Sequence, residues 1–491
     1  MASGGAASST ASGPDASALA AGEQPSPVKR RWWERIPHTY VILFVMMVLA
    51  AIMTYIIPAG AYDRVEVEGL SKPAIDPNSF HAVDAAHTSF FGLFTAIPDG
   101  MVGAASIIFL ILLSTAAFTV INETGALSGG IAVLLSKIEH ANVPKVLVIW
   151  IVTFLFSGLG VIVGPEIQIP FTIFGITIAL GLGYDLIVGL AMILGGGYVG
   201  FAFGPINASI LGTAQSVVGL PIFSGQGLRW LLWLAATIVM AIMTSLYARK
   251  ITRNPSKSLV KDVDPKGLDL TAGARGVKLT GRHYLTLVVL LLMFAAIIVG
   301  ASKFSWYLTE MSAVFVIGGL AAGYASGLST RQIIDAEVRG VSQAAPIAIM
   351  LGLARATQVI LENGNIMDTI IHALSGLVGD QNSVVAAILI SIITAIIHFF
   401  IPSGSGLAVA VMPILGPLGH LSGLSQQATV LAFQIGATVP NWIYPTVGAT
   451  MAMIGIARVP FDRWLRFGLK LVGVMFLLSW IFLGIAVVIG Y

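Results

Sequence analysis

Two short polar interruptions, each set inside a long apolar run, hold the residues of this sequence best placed to do chemistry. The first is Gly164-Pro165-Glu166-Ile167-Gln168. An ionisable group in such a run is costly at membrane depth unless it is used or paired. In use, Glu166 would meet a substrate ammonium or a coupling proton, with Gly164, Pro165 and Gln168 shaping the site around it. Otherwise it is a structural carboxylate paired to a neighbour or lying shallow at the interface. A bare carboxylate repels a dianion, so Glu166 points to an amino-acid substrate or to proton coupling. The second interruption is Pro402-Ser403-Gly404-Ser405-Gly406. Ser403, Gly404, Ser405 and Gly406 can present successive amides and hydroxyls to a carboxylate, because glycine lets the backbone come close. The alternative is a tight turn that merely needs glycine.

Further polar residues stand beside prolines. Asn207 follows Pro205, and Asn441 and Thr446 flank Pro445. These are ligands for a substrate or for a coupling cation such as Na+ near Asn207 and Asn441, or they repair carbonyls that proline leaves unpaired. Gln434 and Thr438 share a helical face and read as a polar contact between helices. Arg355 precedes Glu362 by two turns; it either attracts an anionic substrate or forms an ion pair that locks a scaffold. His398 is a proton shuttle or a buried, hydrogen-bonded histidine.

The elements that must position these groups are apolar. Of 491 residues, 56% are hydrophobic and 10% charged, against roughly a quarter charged in soluble domains. Runs such as Val41 to Ile57, Leu285 to Val299 and Leu471 to Ile489 approach the ~20 residues that span a bilayer. The fold class expected is an all-α, multi-spanning membrane protein whose solvent partner is the lipid bilayer. There is no cysteine, the eight histidines show no metal-ligand spacing, and the net charge is only +3. A resident metal, a cofactor beyond a coupling Na+ or H+, and a nucleic-acid partner are therefore not expected. Without a GxxxxGK[ST] loop an ATP-driven pump is disfavoured. The other classes weighed are a passive channel and an intramembrane hydrolase, whose GxSG serine is missing.

Residues 1–30 read as a disordered cytoplasmic tail, ending at a basic anchor that contains Trp32 and Trp33. A first membrane half covers 31–248, a basic cytoplasmic linker 249–282 and a second half 283–491. The stretch Arg249 to Arg282 carries nine Lys/Arg against three Asp, whereas Pro58 to Ser89 carries two against five Asp/Glu. The first belongs inside and the second outside. Passes counted from a cytoplasmic N-terminus put every basic cluster inside and the C-terminus outside.

Sliding the chain by 240 residues aligns Gly100 with Gly340, Ala116 with Ala356, Gly164 with Gly404, Gly196 with Gly436 and Pro205 with Pro445. This predicts a repeat over about 97–248 and 337–490 whose copies begin on opposite sides of the membrane. Each copy contains a spanning helix (101–121 or 341–361), a short interfacial helix, and a hairpin (about 144–183 or 383–422) cut at one of the two polar interruptions. The arms look too short to span, so re-entrant hairpins with tips meeting near the midplane are expected. A proline-broken helix follows in each copy, over 186–218 and 426–458. Irregular backbone at that depth is tolerated where it lines a cavity, which suits a small-molecule substrate.

The stretches PHTYVILF, AGAYDRV, GPEIQIPF, GYDLIVGL, ARATQVILENGNIMDTI, FFIPSGSGLAVAVMPILGPL, AFQIGATVPNWIYPTVG and VPFDRWLRF resemble the YfcC-like branch of the C4-dicarboxylate anaerobic carrier family, from about residue 31 onwards. That resemblance implies the ion transporter superfamily: homodimeric, elevator-type secondary carriers of dicarboxylates or basic amino acids. The Ser-Asn-Thr tip motif of the related sodium-dicarboxylate symporters is missing here.

Overall fold

The computed structural model describes residues 39–66, 73–162, 164–265, 268, 279–304, 306–377 and 382–491. The expected tail and its tryptophan anchor lie outside the described residues, as does most of 266–278. Among the described residues the chain is a run of twenty α-helices with two small strand pairs. α1 (Thr39–Ile56) leads into the ladder strands β1 (Gly60–Ala61), β2 (Arg64–Val65), β3 (Ala74–Ile75) and β4 (His81–Ala82). There follow α2 (Phe90–Gly103), α3 (Ala105–Glu123), α4 (Ala126–His140), α5 (Lys145–Ile162), α6 (Pro165–Gln168), α7 (Thr172–Gly181), α8 (Leu186–Leu190), α9 (Gly196–Phe203), α10 (Thr213–Val217) and α11 (Gln226–Arg253). After the linker come α12 (Gly281–Lys303), α13 (Leu308–Ser326), α14 (Thr330–Asn363), α15 (Met367–Ser375), α16 (Ser383–Phe400), α17 (Gly404–Leu421), α18 (Gln426–Thr438), α19 (Gly448–Ile456) and α20 (Phe461–Val488). Among the described residues ten helical segments are long and apolar enough to cross a membrane.

Side-chain caps set many of the starts. Ser89 accepts from the Gly92 amide, Asn382 from Val385 and Ser425 from Ala428. Ser329 and Gln332 close a reciprocal capping box on α14, the arrangement that satisfies orphan amides at both positions. The spanning helices expected at 101–121 and 341–361 are longer than predicted. α2 and α3 together run over 90–123, α14 over 330–363, and each passes through a proline, Pro98 or Pro346. Flanking helix supplies what those prolines remove. A second expectation is also corrected. α5, α16 and α17 each have 18 residues, enough to cross, so arm length alone does not make these segments re-entrant.

α14 packs against α2, α3 and α1, while α13 packs against α3 and α12. The other helices gather around the two broken ones. α5 lies on α9; α16 and α17 lie on α18; α9 meets α18; α11 and α20 close the flanks. Each cut pair also reaches the other half, since α17 packs on α10 and α19 on α7. Several of these seams are backbone on backbone. A Cβ on Gly160 would lie 2.1 Å from the Gly197 carbonyl oxygen, one on Gly200 1.9 Å from that of Ser157, and one on Gly436 2.2 Å from that of Ser391.

The segment between α1 and α2, expected as a plain acidic loop, folds into two antiparallel pairs. β1 pairs with β4 and β2 with β3. Ala74 and Ile75 are buried, and β3 packs on α17. Polar ties elsewhere join segments that loop charge places on one side. Asp185 accepts the hydroxyls of Tyr247 and Ser258, both at 2.7 Å. Arg463 pairs with Asp262 at 3.1 Å and Arg339 with Glu123 at 2.7 Å.

Candidate functional site

At the first interruption Gly164 caps α6 and Pro165 takes its first position, where a missing N–H costs nothing. Glu166 folds back over the turn, so that a Cβ on Gly164 would lie 2.6 Å from Oε2. The phenols of Tyr198 and Tyr307 stand within electrostatic range. No ion pair to Glu166 is formed among the described residues. Gln168 is fully buried and wedged between the Gly160 and Gly197 backbones; among the described residues neither Nε2 nor Oε1 has a partner.

At the second interruption Ser403 Oγ accepts from the Gly406 amide at 3.3 Å, and the Ser403 carbonyl takes the Leu407 amide at 2.7 Å. The amides of Gly404 and Ser405, at the start of an 18-residue helix, are left pointing out of the helix end. A helix N-terminus of this kind attracts anions. Gly404 is pressed against Ile210 just after the first break; a Cβ there would lie 2.2 Å from Cγ1. The first tip packs on α9, which carries Tyr198, and the second on Ile210; no hydrogen bond joins the two tips among the described residues.

At the breaks most polar groups repair backbone. Asn207 accepts from the Ile210 amide at 3.1 Å and donates to the Phe201 carbonyl at 2.8 Å, bridging the gap from both sides. Gln434 Nε2 donates to the Ala202 carbonyl at 2.9 Å, and Gln434 Oε1 accepts from the fully buried Arg229 at 3.2 Å. Thr438 Oγ1 donates to the Gln434 carbonyl at 2.6 Å. Asn441 Oδ1 holds His398 Nε2 at 2.6 Å, while its carbonyl accepts from Thr450, whose Oγ1 also lies 2.8 Å from the Tyr198 hydroxyl. Thr446 is buried and its hydroxyl has no partner. π-helical turns at Ala191–Gly195 and Ala208–Gly212 flank the first break; such turns recur where a helix is bent for function.

Two cavities open beside the interruptions. The larger, of about 500 Å³, is lined by Arg64, Arg355, Gln358, Glu362, Asp368, Ser403 and Gly406 among others. Arg355 does not reach Glu362 directly. Its Nη1 donates to Gln358 Oε1, and Gln358 Nε2 donates to Glu362 at 2.5 Å, while the buried Arg355 Nε has no partner. On the opposite wall Asp368 accepts from Arg64 at 2.9 Å and from the Tyr62 amide at 3.0 Å. The Tyr62 phenol is pushed above the usual tyrosine range, by burial first and then by the Asp368 charge, and it bonds His372 Nδ1 at 2.8 Å.

The smaller cavity, of about 330 Å³, is lined by Thr115, Phe118, Thr119, Asn122, Glu123, Pro170, Arg339 and Arg458 among others. Five lining positions correspond at an offset of 240 residues: Thr115 with Arg355, Phe118 with Gln358, Asn122 with Glu362, Leu127 with Met367 and Pro170 with Ala410.

Of the sequence candidates, Ser403 and Gly406 line the larger cavity, with Gly404 and Ser405 in the same turn. Gly164, Pro165, Glu166, Gln168, Asn207, Asn441 and Thr446 line neither of these two cavities. Gln358, Arg64, Asp368 and Arg229 went unnoticed in the sequence. Only Gln358 had a local signal, three residues after Arg355 and four before Glu362.

The family model described as C4-dicarboxylate anaerobic carrier (DcuC) matches residues 36–488. Among curated proteins, "Putative basic amino acid antiporter YfcC" of Escherichia coli (strain K12) is 30% identical, over 94% of this chain and 98% of that protein. An uncharacterized protein of Haemophilus influenzae is 26% identical over the same shares. Among solved structures, the YdaH transporter of Alcanivorax borkumensis is similar at 17% identity with a TM-score of 0.40, covering 93% of this chain and 99% of that one.

Proposed function

Because this chain belongs to the C4-dicarboxylate anaerobic carrier family and is on that ground a multi-pass membrane transporter, we propose that it is a secondary active carrier of a small carboxylate-bearing solute, bound at the second interruption. The observation that carries this reading is the convergence of the α17 N-terminus and Arg355 on one cavity of about 500 Å³. Amide N–H groups and a guanidinium in a site partly shielded from water are the donors a carboxylate needs.

The smaller, register-related cavity supports an inverted repeat. In this reading the Arg355 cavity faces outside and the Thr115 cavity faces the cytoplasm. The α5/α6–α7 and α16/α17 pairs are re-entrant hairpins, and a bundle built on the broken helices moves against the α1–α3 and α12–α14 bundle in elevator fashion. The N-terminus lies in the cytoplasm, the C-terminus outside, and two copies pair as a homodimer. Glu166, with no ion-pair partner among the described residues, is the coupling group for a proton, and Asn207 keeps its repair role. The acidic groups Glu362 and Asp368, which line the same cavity, favour an amino acid over a dianion.

The test is counterflow in proteoliposomes with labelled succinate, aspartate, arginine and ornithine, in wild type, Arg355→Gln and Glu166→Gln. Saturable counterflow that collapses in Arg355→Gln is expected, with proton-driven accumulation but not exchange lost in Glu166→Gln. Flux that does not saturate and shows no counterflow would mean a channel.

A further inference from the structure

The Arg64–Asp368 pair has chemistry that the reading above does not use. Asp368 stands in the first turn of α15 with 8% of its surface exposed. Arg64 grips it with one nitrogen only, Nη2, at 2.9 Å from both carboxylate oxygens. That leaves 46% of the Arg64 side chain exposed. A strong guanidinium–carboxylate pair uses two nitrogens in parallel; here one nitrogen of a half-exposed side chain reaches a carboxylate that is itself buried, so the carboxylate needs a cationic partner while the guanidinium is the member with access to water. The pair also lines the same cavity as Arg355, so the cavity has a donor end, formed by Arg355 and the α17 amides, and an acceptor wall, formed by Asp368.

A solute with a carboxylate at one end and a cation at the other would satisfy both, except that a guanidinium of the protein already sits where its cation belongs. We propose that Asp368 is the binding partner for the cationic side-chain end of a small amino-acid solute, guanidinium or ammonium, and that Arg64 is a resident stand-in which that solute displaces. Displacement has a mechanical consequence. Arg64 lies on β2, which pairs with β3, and β3 rests on α17. Releasing Arg64 therefore loosens the strand segment from α15 while it still touches the helix whose N-terminus holds the carboxylate. This inference rests on the Arg355 cavity being the solute site.

The test is counterflow of labelled L-arginine and L-aspartate by the full-length protein in proteoliposomes. Arg64→Gln removes the competing cation, so the KM for arginine should fall by roughly tenfold. Asp368→Asn should lower the arginine-over-aspartate ratio of kcat/KM by at least about tenfold. A pair that is only a structural tie predicts the opposite sign for Arg64→Gln, a loss for both solutes alike, and that result overturns the proposal. So does wild-type protein that exchanges succinate or aspartate but neither arginine nor ornithine, an outcome that leaves the carrier reading standing. If Arg355→Gln changes no uptake at all, the cavity reading itself falls and this inference with it.

Discussion

At matching register positions one cavity carries Arg355, Gln358 and Glu362 where the other carries Thr115, Phe118 and Asn122. On the inverted-repeat reading the two cavities share a backbone plan, but one has a linked chain of charge and amide at these positions and the other has a hydroxyl, a ring and a neutral amide. A common architecture thus does not oblige the two sides to hold a solute equally. In the proposed reading the Arg355 cavity captures and the Thr115 cavity, whose guanidinium groups are Arg458 and the Glu123-paired Arg339, lets go, since affinity for a carboxylate follows the fixed donors rather than the cavity's outline.

The strongest way to break this contrast is to remove its charge. Arg355→Gln should reduce kcat/KM for uptake by roughly 100-fold, the loss expected for a hydrogen bond to a charged group. Thr115→Val at the matching position should change it by less than about twofold. Equal losses would mean that the cavities do the same work.

The tips offer a second comparison. A Cβ at Gly404 would lie 2.2 Å from Cγ1 of Ile210, a fully buried side chain, whereas one at Gly164 meets only the movable end of Glu166. Gly404→Ala should therefore cost about 1–3 kcal/mol in thermal unfolding of the detergent-solubilised protein, with Gly164→Ala near neutral. The reverse order would show that the second tip is the looser one.

A smaller effect is expected at the breaks. Asn207→Ala removes a helix cap and should cost about 1 kcal/mol of stability without altering the KM of any transported solute. A KM change out of proportion to the stability loss would return Asn207 to the binding site. Smallest of all, Thr446→Val removes a buried hydroxyl that has no partner, and should shift stability by less than about 0.5 kcal/mol. A clear loss of uptake in that variant would place the hydroxyl on the solute.

Much of the scaffold was legible because helix breakers in a membrane chain are conspicuous. Gly164-Pro165, Pro402, Pro205 and Pro445 mark the four points at which the helices are interrupted, and the 240-residue register through them reappears in helix bounds and cavity walls. Helix ends were less legible. The helices expected to begin at 101 and 341 begin at Phe90 and Thr330, with Pro98 and Pro346 inside them. The site was harder still. Ser403 and Gly406 announce themselves as a turn with free amides, but Arg355 gains meaning only from the cavity it faces. Arg64 and Asp368 are 304 residues apart, and no local spacing could join them. Asn207, Gln434 and Asn441 look like ligands for the reason that makes them repair groups. A broken helix frees carbonyls and amides, and a polar side chain nearby serves its own backbone first.

The glycine seams have a consequence for which substitutions the chain can survive. Where Gly160 meets Gly197 and Gly200 meets Ser157, carbonyl oxygens occupy the space any side chain would need. Where α19 faces α14, by contrast, Gly455 and Gly448 meet the outer atoms of Ile347 and Leu351, which can rotate away. The first kind of joint accepts no added carbon, and the second accepts one at the cost of a rotamer change. On the elevator reading, a complete scan of alanine tolerance at glycine would trace the outline of each body that travels as one piece, with intolerant positions inside it and forgiving ones along its sliding edge. The map would need no second conformation to be seen.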